Sequence, residues 1–552
     1  MIFGAAIPVF KEALVEYNRK KKKWRLCRTL RFKNTRKVKR RYGVNGGLVM
    51  RRALQVGLFL ILLLAFGYYV NGTIGHSITT ALSIMTTLAV VTLAIIIFME
   101  NRNPSSTVAW ILVLAMVPVV GFIFYLVFGQ NYRKRRRYTR KAQEDKHTYT
   151  FVENEPKQLR EHALAAMTPD QRHLLRLTSR ISKSPITLAS DTRILNNGEE
   201  TFGALLAELN QAKHHIHMEY YIYRDDDIGS RIAQILMDKA RAGVEVRFMI
   251  DAVGSMHLSK AFLQELRYAG VKVAVFGNVK FPIFSNRVNY RNHRKIVVVD
   301  GNVAFIGGLN VGDEYLSRSK TYGFWRDTHM IVRGEAVQTL QIIFLQDWAH
   351  TSGETLYGAE YLQPEPVEAT AGAVQMIASG PHQEFKTMKN LFFAMLTSAR
   401  RSIWIATPYF IPDEDIFTAL RVAALSGIEV KLLFPGKPDK WLPFLASHSY
   451  FLGLLEAGVQ IYEYEKGFLH SKLIIVDGEV ATIGTANMDM RSFHLNFEVN
   501  ALLIRTESVK QLIREFQQDL ESAVQISDEQ FANKKVITRF LESAARLFSP
   551  LL

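Results

Sequence analysis

One eighteen-residue block occurs twice in this chain, as HRKIVVVDGNVAFIGGLN from His293 to Asn310 and HSKLIIVDGEVATIGTAN from His470 to Asn487. Both copies obey His-x-Lys, four residues, Asp, six residues, Gly-x-x-Asn. Residue frequencies make a single chance match rare, on the order of one in ten thousand. Two matches at equivalent places make accident negligible. Three earlier stretches also recur in the same order: Ala212–Tyr223 with Ala399–Phe410, Gly243–Ile250 with Gly427–Phe434, and Ala269–Val275 with Ala457–Glu463. Each half therefore reads as strand, helix, strand, helix, strand and hairpin, an α/β layered unit. Two copies of one unit are expected to pack about a pseudo-twofold axis, with a site at the seam drawing one set of residues from each. The expected repeats are 181–365 and 366–552.

The spacing within the block has geometric content. Ile296–Val299 and Leu473–Val476 are apolar strand runs, so His293 and Lys295 point to one face of their strand. Asp300-Gly301 and Asp477-Gly478 are signals for type I′ hairpin turns. A two-residue loop would place His293 opposite Asn310 and Lys295 opposite Gly308, and would repeat this for His470 and Asn487. Two facing hairpins then gather two His, two Lys and two Asn around one point. Ammonium and amide donors suit the oxygens of a phosphoryl group, whose charge must be held through in-line displacement. One imidazole can attack phosphorus while the other acts as general acid and then base. With two lysines supplying positive charge, no metal or other cofactor is required.

The catalytic candidates are accordingly His293, Lys295 and Asp300 with His470, Lys472 and Asp477, and Asn310 and Asn487 are the phosphate-binding candidates. Asp300 and Asp477 sit at the turns, an odd seven positions from their histidines, and read as structural or salt-bridging members of the motif. Each imidazole also needs an orienting partner. Asp327 and Glu498, each just ahead of a strand, are expected to accept a bond from their own half's histidine. Glu219 shares a strand face with His215 and His217 and is a possible pocket residue. His214, His215 and His217 look metal-like, but the second repeat has Arg401, Ser402 and Trp404 in the equivalent places, so no metal is assigned to them. The stretch Phe531–Leu552 reads as amphipathic, for packing on the second repeat or for a membrane surface.

The rest of the chain is set by charge. Of a formal +18 over 552 residues, residues 1–52 carry +15, residues 53–132 carry zero, and Arg133–Lys141 adds +7, leaving −4 on the remainder. Three apolar segments lie in the neutral block, Ala53–Val70, Ile78–Met99 and Val108–Phe128. A spanning helix needs about 20 mostly apolar residues, so residues 53–130 are expected to be transmembrane or membrane-associated helices. Residues 1–52 form a basic leading segment and 131–180 a basic-polar linker. Lys and Arg favour the cytoplasmic side of a membrane, and here they flank both ends of the block, which favours a cytoplasmic catalytic region. A mildly acidic catalytic body argues against nucleic acid as partner. The single Cys27 excludes a disulfide framework and a Cys-based metal cluster.

The paired block resembles the active-site motif of the phospholipase D superfamily, over about 181–552. Within it, GGLNVGDEYLSR from Gly307, YGFWRDTH from Tyr322, TPYFIPDEDI from Thr407 and the run from Gly467 resemble bacterial cardiolipin synthases. The apolar run from Glu100 to Gly129 resembles that family's membrane segment. The resemblance implies two pseudo-symmetric α/β/α sandwich repeats behind an α-helical transmembrane region, in a multi-pass protein of the bacterial cell membrane. It implies phosphatidylglycerol and anionic membrane lipid as partners, with His293 as nucleophile and His470 protonating the departing glycerol. The motif residues by themselves also permit the alternative of a hydrolase or headgroup transphosphatidylase giving phosphatidic acid or exchanged phospholipids, and only the flanking stretches point to transfer. The long basic leader departs from the family pattern.

Overall fold

The computed structural model describes residues 76–99, 104–116 and most of 167–552, with residues 278–288, 357, 369–371 and 384 left out, and with Gly121, Tyr125, Lys141 and Leu164 described singly. The basic segment 1–52 and the apolar segment Ala53–Val70 lie outside the described residues. Helices α1 (His76–Met99) and α2 (Pro104–Met116) pack on one another. Leu93, Ile97 and Leu114 are buried, and Leu88, Val91, Ile95 and Phe98 are exposed along one side of α1. Over the residues described, no helix is long and apolar enough to cross a membrane, so the expected multi-pass region is not found there.

The linker expected over 131–180 is structured at its end. Helix α3 spans Pro169–Ser182 with Thr168 and Gln171 forming a reciprocal capping box, and it buries Leu174, Leu175 and Thr178. Thr178 donates to the Gln375 side chain, which fixes α3 on the second repeat.

The first repeat runs β1 (Ser190–Asn196), α4 (Asn197–Gln211), β2 (His215–Tyr220), α5 (Asp227–Arg241), β3 (Glu245–Asp251), α6 (Lys260–Tyr268), β4 (Lys272–Phe276), β5 (Ile296–Val299), β6 (Val303–Gly307), β7 (Phe324–Arg326), β8 (Thr328–Gly334) and α7 (Glu335–Ser352). The second runs β9 (Ala373–Ser379), α8 (Thr387–Ser398), β10 (Ser402–Ala406), β11 (Phe410–Ile411), α9 (Glu414–Leu425), β12 (Glu429–Pro435), α10 (Trp441–Leu455), β13 (Gln460–Tyr464), β14 (Gly467–Leu469), β15 (Leu473–Val476), β16 (Val480–Gly484), β17 (Met488–Asp489), α11 (Met490–His494), β18 (Glu498–Ile504), α12 (Glu507–Glu521), β19 (Ala523–Gln525), α13 (Asp528–Ala532) and α14 (Val536–Arg546).

The two main sheets have one topology. The first is ordered β1-β8-β6-β5-β2-β3-β4 and the second β9-β18-β16-β15-β10-β12-β13-β19, with β19 as an added edge. The motif strands β5 (IVVV) and β15 (LIIV) are apolar throughout because both faces are covered. In β5, Val297 and Val299 enter the core under α4 and α5, and Ile296 and Val298 enter a core shared with the second repeat. That shared core joins Ile306 and Met330 to Ala481, Ile483 and Leu503, so the repeats form one hydrophobic body.

Both hairpins differ from the expected register. Asp300 and Gly301 have φ of 53° and 70°, and Asp477 and Gly478 have 54° and 70°, as an Asp-Gly turn requires. However, Val299 pairs with Val303 and Val476 with Val480, so each loop holds three residues. The extra residue shifts the ladder by one, and the predicted pairing of His293 with Asn310 does not occur.

Candidate active site

Each histidine is placed by a strand contact with the opposite repeat. Asn292 bridges Phe497 in parallel, and His293 N–H donates to Phe497 O at 3.0 Å. In the mirror arrangement β14 pairs in parallel with β7, and His470 N–H donates to Arg326 O at 2.7 Å. The residues that follow those acceptors are Glu498 and Asp327. As a result His293 Nδ1 donates to Glu498 Oε2 at 2.9 Å, and His470 Nδ1 donates to Asp327 Oδ2 at 2.6 Å. The expected pairing of each carboxylate with its own half's imidazole is therefore corrected: both dyads cross the seam. A carboxylate can only accept, so each Nδ1 carries the hydrogen and each Nε2 keeps its lone pair.

Both carboxylates are fully buried and held from behind. Glu498 accepts from Thr485 Oγ1 at 2.6 Å, Ser492 Oγ at 3.0 Å and Asn496 Nδ2 at 3.1 Å. Asp327 accepts from the Thr328 N–H at 2.8 Å. It passes against Gly308, where a Cβ would lie 2.0 Å from its Oδ1. Gly308 thus leaves room for the carboxylate, and the residue at its place in the second copy, Thr485, instead donates to Glu498. Gly308→Ala should push Asp327 aside and cut turnover by roughly tenfold or more, with the fold retained. Steady-state rates beside a melting curve check this, and an unchanged rate would contradict the packing described.

The lysines are held without a counter-ion in direct contact. Lys295 Nζ donates to His293 O at 2.7 Å and lies 5.4 Å from the Tyr221 ring centre. Lys472 Nζ donates to His470 O and sits 2.9 Å from its Nδ1. Burial lowers Lys295 to about 7 and Lys472 to about 8, and each lysine also suffers from burial more than the nearby carboxylates repay. Burial lowers His293 too, and with the Lys472 charge it lowers His470 to about 3. The charge of Lys472 also acts on His293, and that of Lys295 on His470, so the four groups share one electrostatic site. Burial thus acts against the charged form of both imidazoles and both lysines.

The other candidates fall as follows. Asp300 accepts from the N–H groups of Lys213, His214 and His215 at 2.7–2.9 Å, tying the turn to the start of β2. Asp477 does the same for Arg400, Arg401 and Ser402 at the start of β10. Asn310 Oδ1 accepts from the Ile222 N–H at 3.0 Å, and Asn487 Nδ2 donates to Asp489 at 3.0 Å, both residues being buried. Glu219 is 1% exposed and accepts from Asn292 Nδ2 at 2.6 Å, so it is buried beside the segment that carries His293 and does not line an open pocket. Burial and the Asp347 charge hold its carboxyl well above the usual range. His215 and His217 bracket the Gln341 amide at 3.1 and 2.7 Å, and among the described residues no group of three or more His, Cys, Asp or Glu could hold a metal.

The chain is similar in sequence and fold to known proteins. The family profile described as "Cardiolipin synthase, PLD-like domain" matches residues 205–348 and 392–520, and "Phospholipase_D-nuclease N-terminal" matches 87–130. The chain is 54% identical over 504 residues to a cardiolipin synthase of Geobacillus kaustophilus, covering 91% of this chain and all of that one. It is 54% identical over 505 residues to that of Halalkalibacterium halodurans, with the same coverage. Cardiolipin synthase 1 of Bacillus anthracis is 42% identical over 487 residues, 86% of this chain and 95% of that one. The chain belongs to the cardiolipin synthase family. In fold it is similar to a phosphatidylserine synthase of Haemophilus influenzae, with a TM-score of 0.53, 14% identity, and coverage of 69% of this chain and 100% of that one.

As a member of the cardiolipin synthases the chain is a phosphatidyltransferase, and its site has a support that the duplicated block does not reveal. Arg294, between His293 and Lys295, donates to Glu498 O at 3.1 Å and to Ser379 O at 2.9 Å. It also forms an ion pair with Asp347, which Lys141 meets from the other side at 2.9 Å. All three are buried. Removing one member of such a network costs about 3–5 kcal/mol, because the remaining charge has no water to retreat to. The second copy has Ser471 here, sharing a hydrogen bond with Thr328 Oγ1 at 3.0 Å, and on that side the buried charge is Arg326, which pairs with Asp519 at 2.8 Å and donates to Asp327 O at 2.7 Å.

Proposed function

We propose that the chain joins two phosphatidylglycerol molecules into cardiolipin and glycerol by two displacements at phosphorus. The reading is carried by the crossed dyads, which leave both imidazole Nε2 atoms available beside two buried ammonium groups. Lys295 and Lys472 hold the non-bridging oxygens, assisted by Asn310 and Asn487. His293 Nε2 attacks phosphorus, the bond from phosphorus to the glycerol oxygen breaks, and His470 Nε2 gives that oxygen its proton. The phosphatidyl group is then on His293. A hydroxyl of the second phosphatidylglycerol gives its proton to His470 and attacks phosphorus, and His293 leaves. Glu498 and Asp327 fix the tautomer and stabilise the imidazolium that forms on each side. An incoming phosphodiester carries one negative charge, which offsets the lysines and raises His470 from its depressed value, so the acid is charged only when substrate is bound. The two histidines titrate as one coupled system.

The same reading places the enzyme at a membrane. The exposed apolar side of α1, the uncharged sequence around it and the basic run 133–141 all suit a bilayer with anionic headgroups, with the catalytic region favoured on the cytoplasmic side. The test is purified enzyme with labelled phosphatidylglycerol in EDTA. Cardiolipin with free glycerol is expected. Phosphatidic acid as main product would replace transfer by hydrolysis, and loss of all product without metal would overturn the lysine-based mechanism.

A further inference from the structure

We propose that α14 and the two residues after it form a membrane-docking surface that seats the catalytic repeats on anionic phospholipid. The proposal rests on the lipid-substrate reading above and assigns a place of contact to it. The inner side of α14 is already packed: Ala545 enters the core of the second repeat, Glu542 is buried against Lys534 at 2.6 Å, and Ser549 Oγ meets Tyr450 OH at 3.1 Å. The outer side is apolar, and none of the described residues packs over it. Val536 is 84% exposed, Phe540 66% and Leu547 82%, with Ile537, Leu541 and Phe548 exposed beside them. At 100° per residue these six fall within one sector of about 140°, and Lys535, Arg539 and Arg546 fall on its flank.

Charge decides what covers that sector. The only acid of α14 is Glu542, and it is turned inward and buried, so the exposed side carries three cations and no anion. An apolar stripe with a basic edge fits the boundary between headgroups and acyl chains of an anionic bilayer. A second copy fits less well, because a twofold contact would bring the same cations together. The surface also lies close to the chemistry. Residues 549–551 pack on α11, and Arg491 N–H donates to Leu552 O at 3.0 Å. Helix α11 supplies Ser492 to Glu498, the partner of His293. One short segment therefore connects the docking face to the first dyad.

The experiment uses full-length enzyme with vesicles of phosphatidylglycerol or of phosphatidylcholine. A spin label at Ile537→Cys, in a Cys27→Ser background, should gain contact with oxygen and lose contact with a water-soluble nickel complex when phosphatidylglycerol vesicles are added. The effect should be weaker on phosphatidylcholine. The pair Val536→Asp and Phe540→Asp changes only exposed positions and should cut the rate on phosphatidylglycerol vesicles by about tenfold or more. Tyr268→Asp, equally exposed on α6, should change neither reading. A label that stays in water would overturn the proposal. So would protection that needs no vesicle and rises with protein concentration, which would make the face a contact between copies. Immersion of the label by an enzyme that makes no cardiolipin would support docking and refute the functional reading instead.

Discussion

His293→Ala should lower cardiolipin formation by roughly 10⁴-fold or more while the protein stays folded. Among the described residues the imidazole is the nitrogen base on the first repeat's side of the site that has a tautomer-fixing carboxylate on Nδ1, which leaves its Nε2 lone pair for attack. Its removal eliminates the covalent step outright, whereas loss of an oxygen-holding group would only weaken it. The substitution leaves Asn292 and Arg294 in place, and these carry the contacts to Glu219, Asp347 and the second repeat. Near-normal melting with no product is the expected pair of results. Substantial activity would remove His293 from the role of nucleophile.

The crossed dyads make the second large prediction, because they assign each carboxylate to one step. Glu498 serves His293 and Asp327 serves His470. With a phosphatidyl ester of p-nitrophenol, the departing oxygen needs no proton, so the first-turnover burst reports nucleophilic attack alone. Glu498→Gln should slow that burst by about 10²–10⁴-fold. Asp327→Asn should leave the burst within a few fold of normal, yet cost about 10²–10⁴-fold in turnover with phosphatidylglycerol, where the departing glycerol must be protonated. Dyads within each half would give the reverse pattern.

Much of this was legible in the residues. A duplicated apolar strand run ending in Asp-Gly leaves little choice of local structure, and the matching order of strands in both sheets follows from the matching order of motifs. The crossing was not legible. It depends on β7 and β14, two three-residue strands far apart in the chain, which are too short to show any periodicity. The hairpin register failed by one residue because Asp-Gly specifies positive φ at two positions but not the third residue of the loop. Lys141 could not have been singled out, since its sequence is one cation among seven in a basic run, and only burial against Asp347 distinguishes it. Helix α3 did have a signal: Thr168-Pro169-Asp170-Gln171 ahead of Leu174 and Leu175 is a capping box with a first apolar turn. Its polar surroundings hid it.

The covalent intermediate gives the most direct test of the account. Enzyme mixed with phosphatidylglycerol labelled in the phosphatidyl moiety, quenched under alkaline conditions where phosphohistidine survives, and cut into peptides should carry the label on His293. The His470→Ala variant, which cannot activate the second alcohol, should be tested beside it with the p-nitrophenyl ester and should hold the label longer. Label on His470, or release of cardiolipin at the normal rate with no labelled peptide at any time point, would contradict a phosphatidyl-His293 intermediate.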